Sequence, residues 1–206
     1  AAPIVKPMPS VHWKELPRVM ETMKSAPCRT QLLFAWACLS LLRPIETVKV
    51  RWDWIDGHVL TIPSTEMKKA RAHRLPMLPI MLDVLQAAKT ESPHPKSPFI
   101  WAGRVSGKHM SEQTLAKFFH ETELKGRLVA HGIRSIGRSW MADHDAPFEV
   151  AEACLSHVSG SSVSRAYQRS DYLTQRRSLM ASWCQYVSDC AREVGFLPDI
   201  FKADSA

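Results

Sequence analysis

The hydrophobic residues of this chain recur at helical spacing in several separate segments. The pattern predicts helices over residues 13–23, 30–42, 80–89, 111–120, 132–142, 147–155 and 171–190. Segment 30–42 is apolar on nearly all sides, which is typical of a helix buried in a core. In the last segment Leu173, Met180, Trp183 and Val187 share one face, so that face requires a packing partner.

A short additional helix is predicted to open at Arg43-Pro44-Ile45-Glu46. Proline is favourable in the first turn of a helix, and a carboxylate there interacts well with the positive end of the helix dipole. Arg43, which immediately follows the apolar segment, is therefore either a functional cation or a guanidinium that Glu46 holds in place.

Three short segments have the composition of β-strands. Residues 48–54 mix β-branched and aromatic residues, Asp56-Gly57 is a strong turn signal, and residues 58–62 alternate in polarity. Residues 73–77 predict a third strand, after a basic connection that contains Lys68. The predicted fold class is therefore α+β, mainly helical, with a small three-stranded antiparallel sheet.

Composition places the chain among soluble globular proteins with one sizeable core. It has 206 residues, 45% of them hydrophobic, and a net charge of +7, which suits a polyanionic partner such as nucleic acid or an anionic membrane surface. The longest apolar run, Leu32 to Leu42, is too short for a membrane span, and no signal peptide is visible. Five widely spaced cysteines do not form a disulfide framework, so a reducing cytoplasm is the expected compartment.

The polar residues with the greatest chemical interest lie near the end of the chain. His131 and Arg134 stand three positions apart on a predicted helix, so they share a face that can hold an anion. His157 and Tyr167 follow. Each of these residues alone, like Lys68 in its basic connection, is more often structural or solvated than catalytic.

Two other patterns resemble ligand sites. Residues 103–108 resemble a phosphate-binding glycine loop, but the spacing is one residue short and His109 replaces the required Ser or Thr. Cys154 and His157 have a spacing that metal ligands use, but no second matching pair exists, which makes a closed zinc site improbable.

The ordered set of motifs resembles the catalytic domain of the tyrosine recombinases, the phage integrase family, and especially the integrases of prophages and genomic islands. The motifs are RPIE at 43–46, MKKARAHRLPM at 67–77, HGIR at 131–134, LSH at 155–157 and AYQRSDYLTQRRSLMASW at 166–183. The resemblance extends from about Ser10 to Val187. Family members often carry Gly at the position of Ile45 and Gly or Ala at that of Ser156; neither difference removes a functional group.

The resemblance implies how a DNA phosphate would be held. Arg43 and Arg134 would grip its nonbridging oxygens, His157 would donate a hydrogen bond to it, and Glu46 would orient Arg43. These residue types suit the task, because a phosphodiester repels nucleophiles and needs fixed positive charge around it.

The resemblance also implies the bond-breaking chemistry. Tyr167 would attack the phosphorus and form a 3′-phosphotyrosine, His131 would accept or relay the proton of the tyrosine, and Lys68 would protonate the leaving 5′ oxygen. Since the covalent link preserves the phosphodiester energy, strand exchange should need no ATP, metal or other cofactor.

Further expectations concern domains and partners. Residues 1–10 would be a linker from an N-terminal DNA-binding domain, residues 11–190 the catalytic domain with its C-terminal helix, and residues 191–206 a tail. Double-stranded DNA attachment sites, a homotetramer on DNA and a possible directionality factor are the expected partners, with no membrane, in a bacterial, nucleoid-associated location. In this family the C-terminal helix packs on a neighbouring protomer; the alternative is an internal helix.

Two competing functions keep the same fold. A type IB topoisomerase shares the tyrosine chemistry but relaxes DNA without exchanging partners. A non-catalytic DNA-binding module would keep the charge and the fold but perform no chemistry.

Overall fold

Helices account for just over half of the residues that the computed structural model describes, which are 8–68, 70–157 and 171–202. Tyr167 lies outside the described residues. The helices are α1 (Leu16–Met23), α2 (Cys28–Ser40), α3 (Pro44–Lys49), α4 (Pro79–Thr90), α5 (Thr114–His120), α6 (Gly132–Asp143), α7 (Phe148–Cys154) and α8 (Leu173–Val194). The strands are β1 (Ile55–Asp56), β2 (Val59–Ile62) and β3 (His73–Pro76), and short 3-10 helices cover Trp13–Glu15, Trp52–Trp54 and Ser64–Glu66. The predicted mainly helical α+β class is confirmed.

Helix α2 lies at the centre of the hydrophobic core. Ten of its thirteen residues are buried, as the uniformly apolar sequence predicted. The indole of Trp183 on α8 donates a hydrogen bond of 2.7 Å to the carbonyl of Cys38, which joins the last long helix to the central one. Helix α2 ends at Leu41, whose backbone is left-handed (φ +54°), so the chain turns sharply there toward Arg43.

The three strands form one antiparallel sheet in the order β1-β2-β3. Leu60 of β2 pairs with Ile55 of β1 and with Leu75 of β3. The sequence-based prediction of a first strand over residues 48–54 is wrong, because the chain is helical through Lys49 and only Ile55–Asp56 pairs in the sheet.

The helix α3 is favoured by its own start signals. Pro44 fixes the backbone of the first turn, and the backbone N–H of Arg43 donates to the Glu46 carboxylate at 3.1 Å. These interactions outweigh the β propensity of Val48, which is buried on the helix.

The C-terminal part of the described chain belongs to the core. Helix α8 continues past its predicted end at Cys190 to Val194 and stops at Gly195, whose φ of +64° suits glycine. Phe196 and Phe201 then pack in the core, with 0% and 2% of their surfaces exposed.

The first described residues are tied to the start of α6. The carbonyl of Pro9 accepts a hydrogen bond from the N–H of Val129 at 3.3 Å, and Ser10 Oγ donates to the carbonyl of Gly132 at 3.0 Å. In the described ranges, no helix is both long and apolar enough to cross a membrane.

Candidate active site

Helix α6 presents the HGIR motif at its first turn. His131 is the residue immediately before the helix, and Arg134 is the third residue within it. Gly132 has a steric role, because a Cβ at this position would lie 2.4 Å from the carbonyl oxygen of Pro9. The glycine therefore lets the N-terminal segment pass directly over the start of α6.

Arg134 is almost completely buried, and backbone carbonyls fix its guanidinium. One terminal nitrogen donates to the carbonyl of Leu41, at the end of α2. The other, Nη2, donates to the carbonyl of Leu155 at 2.6 Å and lies 3.0 Å from Nε2 of His157. Arg134 thus connects the ends of α2 and α7 to the start of α6, and these hydrogen bonds fix the position of its guanidinium group.

Arg43 is held in a similar way beside it. Its Nη1 donates to the Glu46 carboxylate at 2.7 Å, and its Nη2 donates to the carbonyl of Ser156 at 3.1 Å. The Arg43 side chain is 18% exposed, whereas that of Glu46 is 2% exposed. The predicted proximity of Glu46 and Arg43 is therefore present in the structure.

The two arginines meet at adjacent carbonyl groups. Leu155 and Ser156, the residues that follow α7, accept from Arg134 and Arg43 respectively. Ser156 adopts a left-handed backbone (φ +51°), a conformation that glycine adopts more readily than other residues. One tight turn therefore sets the relative position of both guanidinium groups.

His157 completes the group and is itself held by a carboxylate. Its Nδ1 lies 2.9 Å from Oε2 of Glu152, while Oε1 of the same carboxylate accepts from Arg138 Nε at 2.7 Å. An open pocket of about 170 Å³ lies in front of these side chains; it is lined by His131, Arg134, Ser135, Arg138, Ser139, Leu155 and His157.

The electrostatics of the site favour an anion. Burial lowers the pKa of Arg134 to about 10, and the charge of Arg43 acts in the same direction. Burial and the charges of Arg134 and Arg43 lower the pKa of His131, so its imidazole is neutral at pH 7 and able to accept a proton. The pKa of His157 is also lowered, by burial first and by Arg134, although the hydrogen bond to Glu152 opposes this.

The chain is similar to proteins of known family. A sequence model described as Phage integrase family matches residues 10–173. The chain belongs to the phage integrase family. It is 38% identical over 190 residues to the prophage integrase IntA of Escherichia coli strain K12, an alignment that covers 90% of this chain and 46% of that protein.

The chain is also similar to other phage integrases. The integrase of Shigella phage Sf6 is 27% identical over 154 residues, covering 73% of this chain and 40% of that protein. The chain thus spans less than half the length of these curated relatives. The crystal structure of a lambda integrase dimer bound to a COC′ core site shares the fold, with a TM-score of 0.59 and 17% identity, over 84% of this chain and 62% of that chain.

Only some of the predicted site residues lie close together in the described part of this integrase. Arg43, His131, Arg134 and His157 converge with Glu46. Lys68 is exposed in the connection between β2 and β3, and it forms no hydrogen bond or ion pair with any residue that the structure describes. Tyr167 falls within residues 158–170, which lie outside the described ranges. No group of three or more potential metal ligands occurs among the described residues.

Three residues near this integrase site were not predicted from the sequence. Glu152 and Arg138 support His157, as described above. His73 on β3 is buried, and burial together with the charges of Arg176, Arg134 and Arg43 places its pKa well below the usual value. His73 lies in the quoted motif at 67–77, and Glu152 lies five residues before His157, but neither spacing alone indicates a contact.

Proposed function

We propose that this chain is the catalytic part of a site-specific DNA recombinase, an integrase that cuts and rejoins DNA strands through a 3′-phosphotyrosine intermediate. The supporting observation is the convergence of Arg43 and Arg134 on the adjacent carbonyls of Leu155 and Ser156, beside His131 and His157. Membership of the phage integrase family supports the same conclusion.

The two guanidinium groups would stabilise a phosphate during its reaction. An arginine has five N–H donors, and only some of those on Arg43 and Arg134 are used by the contacts described above. Because their other partners are fixed carbonyls and a carboxylate, the charges need no reorganisation when negative charge develops on the phosphate. Each such donor contributes roughly 3 kcal/mol to transition-state stabilisation in comparable enzymes.

Four further groups would complete the chemistry. Tyr167 would attack the phosphorus, and His131, which is neutral at pH 7, would accept or relay the tyrosine proton. His157 would donate to a phosphate oxygen. Lys68, on its exposed β2–β3 connection, would protonate the leaving 5′ oxygen once DNA brings it to the site.

The proposed partners follow from this function. The substrate would be a double-stranded DNA attachment site, and a net charge of +7 favours its approach. An upstream DNA-binding domain would be connected through residues 1–10, with 11–190 as the catalytic unit and 191–206 as a tail that packs in part on the core of that unit. We further propose a homotetramer on DNA, a directionality factor, no organic or metal cofactor and a nucleoid-associated cytoplasmic location.

Covalent trapping on nicked DNA tests the function directly. The full-length protein would be incubated with a nicked duplex carrying the attachment site of the element that encodes it, then resolved under denaturing conditions. We expect a DNA adduct that Tyr167→Phe abolishes and that the matched control Tyr172→Phe retains.

Other outcomes would select the competing functions. DNA binding without an adduct in the wild-type protein would indicate a non-catalytic DNA-binding module. An adduct accompanied by relaxation of supercoiled plasmids that lack the attachment site, with no strand exchange, would indicate a topoisomerase.

A further inference from the structure

The carboxylate of Glu152 lies between a cation and the His157 ring. Arg138 Nε donates to its Oε1 at 2.7 Å, and His157 Nδ1 lies 2.9 Å from its Oε2. The Glu152 side chain is 16% exposed, whereas that of His157 is 41% exposed. Since each oxygen has its own partner, the carboxylate is fixed in orientation.

The partner on the other ring nitrogen determines the tautomer of His157. Arg134 Nη2, 3.0 Å from Nε2, can only donate a hydrogen bond, so Nε2 must accept. The ring proton of neutral His157 is therefore on Nδ1, where it donates to Glu152. In this state His157 offers a phosphate no N–H from Nε2.

We propose that Glu152, held by Arg138, is a positioning residue that lets His157 take up a proton when a DNA phosphate enters the site. The arriving anion would attract both Nη2 of Arg134 and the ring. Nε2 of His157 would then bind a proton from solvent and donate to a phosphate oxygen, while Nδ1–H stays on the carboxylate. The proposal rests on the function proposed above and extends it to two residues outside the recognised motifs.

Positively charged side chains surround the His157 ring, and the carboxylate of Glu152 offsets their effect on its pKa. Arg134, Arg138 and His131 face the ring from α6, Arg43 faces it from the start of α3, and Glu152 faces it from α7. The neighbouring arginines oppose a positive imidazolium, and burial does so as well. Glu152 opposes both effects, and its own pKa is lowered because hydrogen bonds from Arg138 and His157 outweigh its burial.

The pH dependence of covalent adduct formation tests the role of Glu152. Glu152→Gln keeps the shape of the side chain but removes the charge that stabilises protonated His157. We expect adduct formation at pH 8 to fall roughly 10- to 100-fold, as for other carboxylates that orient a histidine, with recovery toward pH 6. Glu123→Gln is the matched control. It replaces an exposed carboxylate that accepts hydrogen bonds from Arg18 and Thr22, and it should leave the pH dependence of adduct formation unchanged.

A second measurement does not depend on recombination. Nitrogen NMR of the His157 ring, assigned with His157→Gln, should show the proton of the neutral ring on Nδ1 in the wild type. In Glu152→Gln, Nε2 should become protonated only at a lower pH than in the wild type, because the charge that stabilises the imidazolium is absent. If the wild type forms no adduct, the proposed function fails, whereas the ring measurement still decides what Glu152 does.

Two results would overturn the proposal. One is a Glu152→Gln pH profile of adduct formation parallel to that of the wild type; the other is protonation of His157 Nε2 at the same pH in Glu152→Gln and in the wild type. Should Glu152→Gln unfold, Arg138→Gln retains the carboxylate charge but frees its orientation, so we expect the same direction of change with a loss of about tenfold. An Arg138→Gln profile identical to that of the wild type would then overturn it.

Discussion

Ser156 illustrates how a single backbone conformation sets the geometry of the site. Its φ of +51° lies in the left-handed region, which costs a residue with a side chain about 1–2 kcal/mol. This conformation allows Leu155 and Ser156 to present successive carbonyls to Arg134 and Arg43. The local strain is thus compensated by two charge-assisted hydrogen bonds.

Ser156→Gly should therefore increase stability. Relief of the strain, partly offset by the greater freedom of glycine in the unfolded chain, should raise the free energy of unfolding by about 0.5–1 kcal/mol. Urea unfolding measures this change. Ser178→Gly, at an exposed position inside α8, is the control and should lower stability by about 0.5 kcal/mol; a loss of stability in Ser156→Gly would contradict the interpretation.

Arg134→Ala should damage both the chemistry and the fold. The carbonyls of Leu41 and Leu155 would lose a buried donor, at a cost of roughly 2–4 kcal/mol in unfolding free energy. Adduct formation should fall by more than about 100-fold, measured at a temperature where the variant is folded. Arg51→Ala removes an ion pair with exposed Asp53, so it should cost less than about 1 kcal/mol. Wild-type adduct yield in Arg134→Ala would exclude the proposed role.

At the scale of elements, the segment that follows α8 contributes two buried aromatic side chains to the hydrophobic core. Phe201 follows the helix and is 2% exposed, although it lies near the end of the chain. Its ring stacks on Phe196 with centroids 6.3 Å apart, and Phe196 packs in turn on Phe34 of α2. The segment after α8 therefore closes one side of the hydrophobic core.

Phe201→Ala should lower the free energy of unfolding by about 3–4 kcal/mol, because it leaves a cavity in the core. Phe148→Ala is the matched control: Phe148 is 56% exposed, so the same deletion should cost less than about 1 kcal/mol. Guanidinium unfolding monitored by circular dichroism compares the two. Equal losses would show that the C-terminal segment contributes no more than a surface residue.

The elements also show how far the sequence determined the structure. Helical periodicity predicted α2, α6 and α7 closely, because an apolar face has a period that is visible in the chain. The β-branched and aromatic composition of residues 48–54 was misleading, because the start signals at Pro44 and Glu46 carry α3 through Lys49. The contacts of Glu152 and His73 could not be predicted, since they depend on distances between separate elements and on burial.

At the scale of the whole molecule, three histidines with lowered pKa values make folding sensitive to acid. Burial and nearby arginines lower the pKa of His73, His131 and His157 in the folded state. In the unfolded chain a histidine titrates near its ordinary pKa of about 6.5. The unfolded chain therefore binds more protons below this pH, and stability falls as the pH decreases toward the lower pKa of each folded histidine.

We expect the free energy of unfolding to decrease between pH 7 and pH 5, by up to about 1.4 kcal/mol per pH unit for each proton taken up on unfolding. His73, whose pKa is lowered most strongly, should account for a large share. Urea unfolding at several pH values should show a shallower dependence for His73→Gln. An identical slope in that variant would assign the acid sensitivity to other groups.

The aromatic side chains between α6 and α8 give the molecule an optical signature. Trp140 lies 5.4 Å from Trp183 and 5.8 Å from Tyr186, between ring centroids, and Trp13 contacts Tyr186 at 5.5 Å. Rings this close in fixed orientations couple their electronic transitions, and such near-ultraviolet dichroism is lost when packing loosens while helices persist. Detachment of α8 from the domain would therefore be visible in that band without any label, even where the far-ultraviolet spectrum hardly changes.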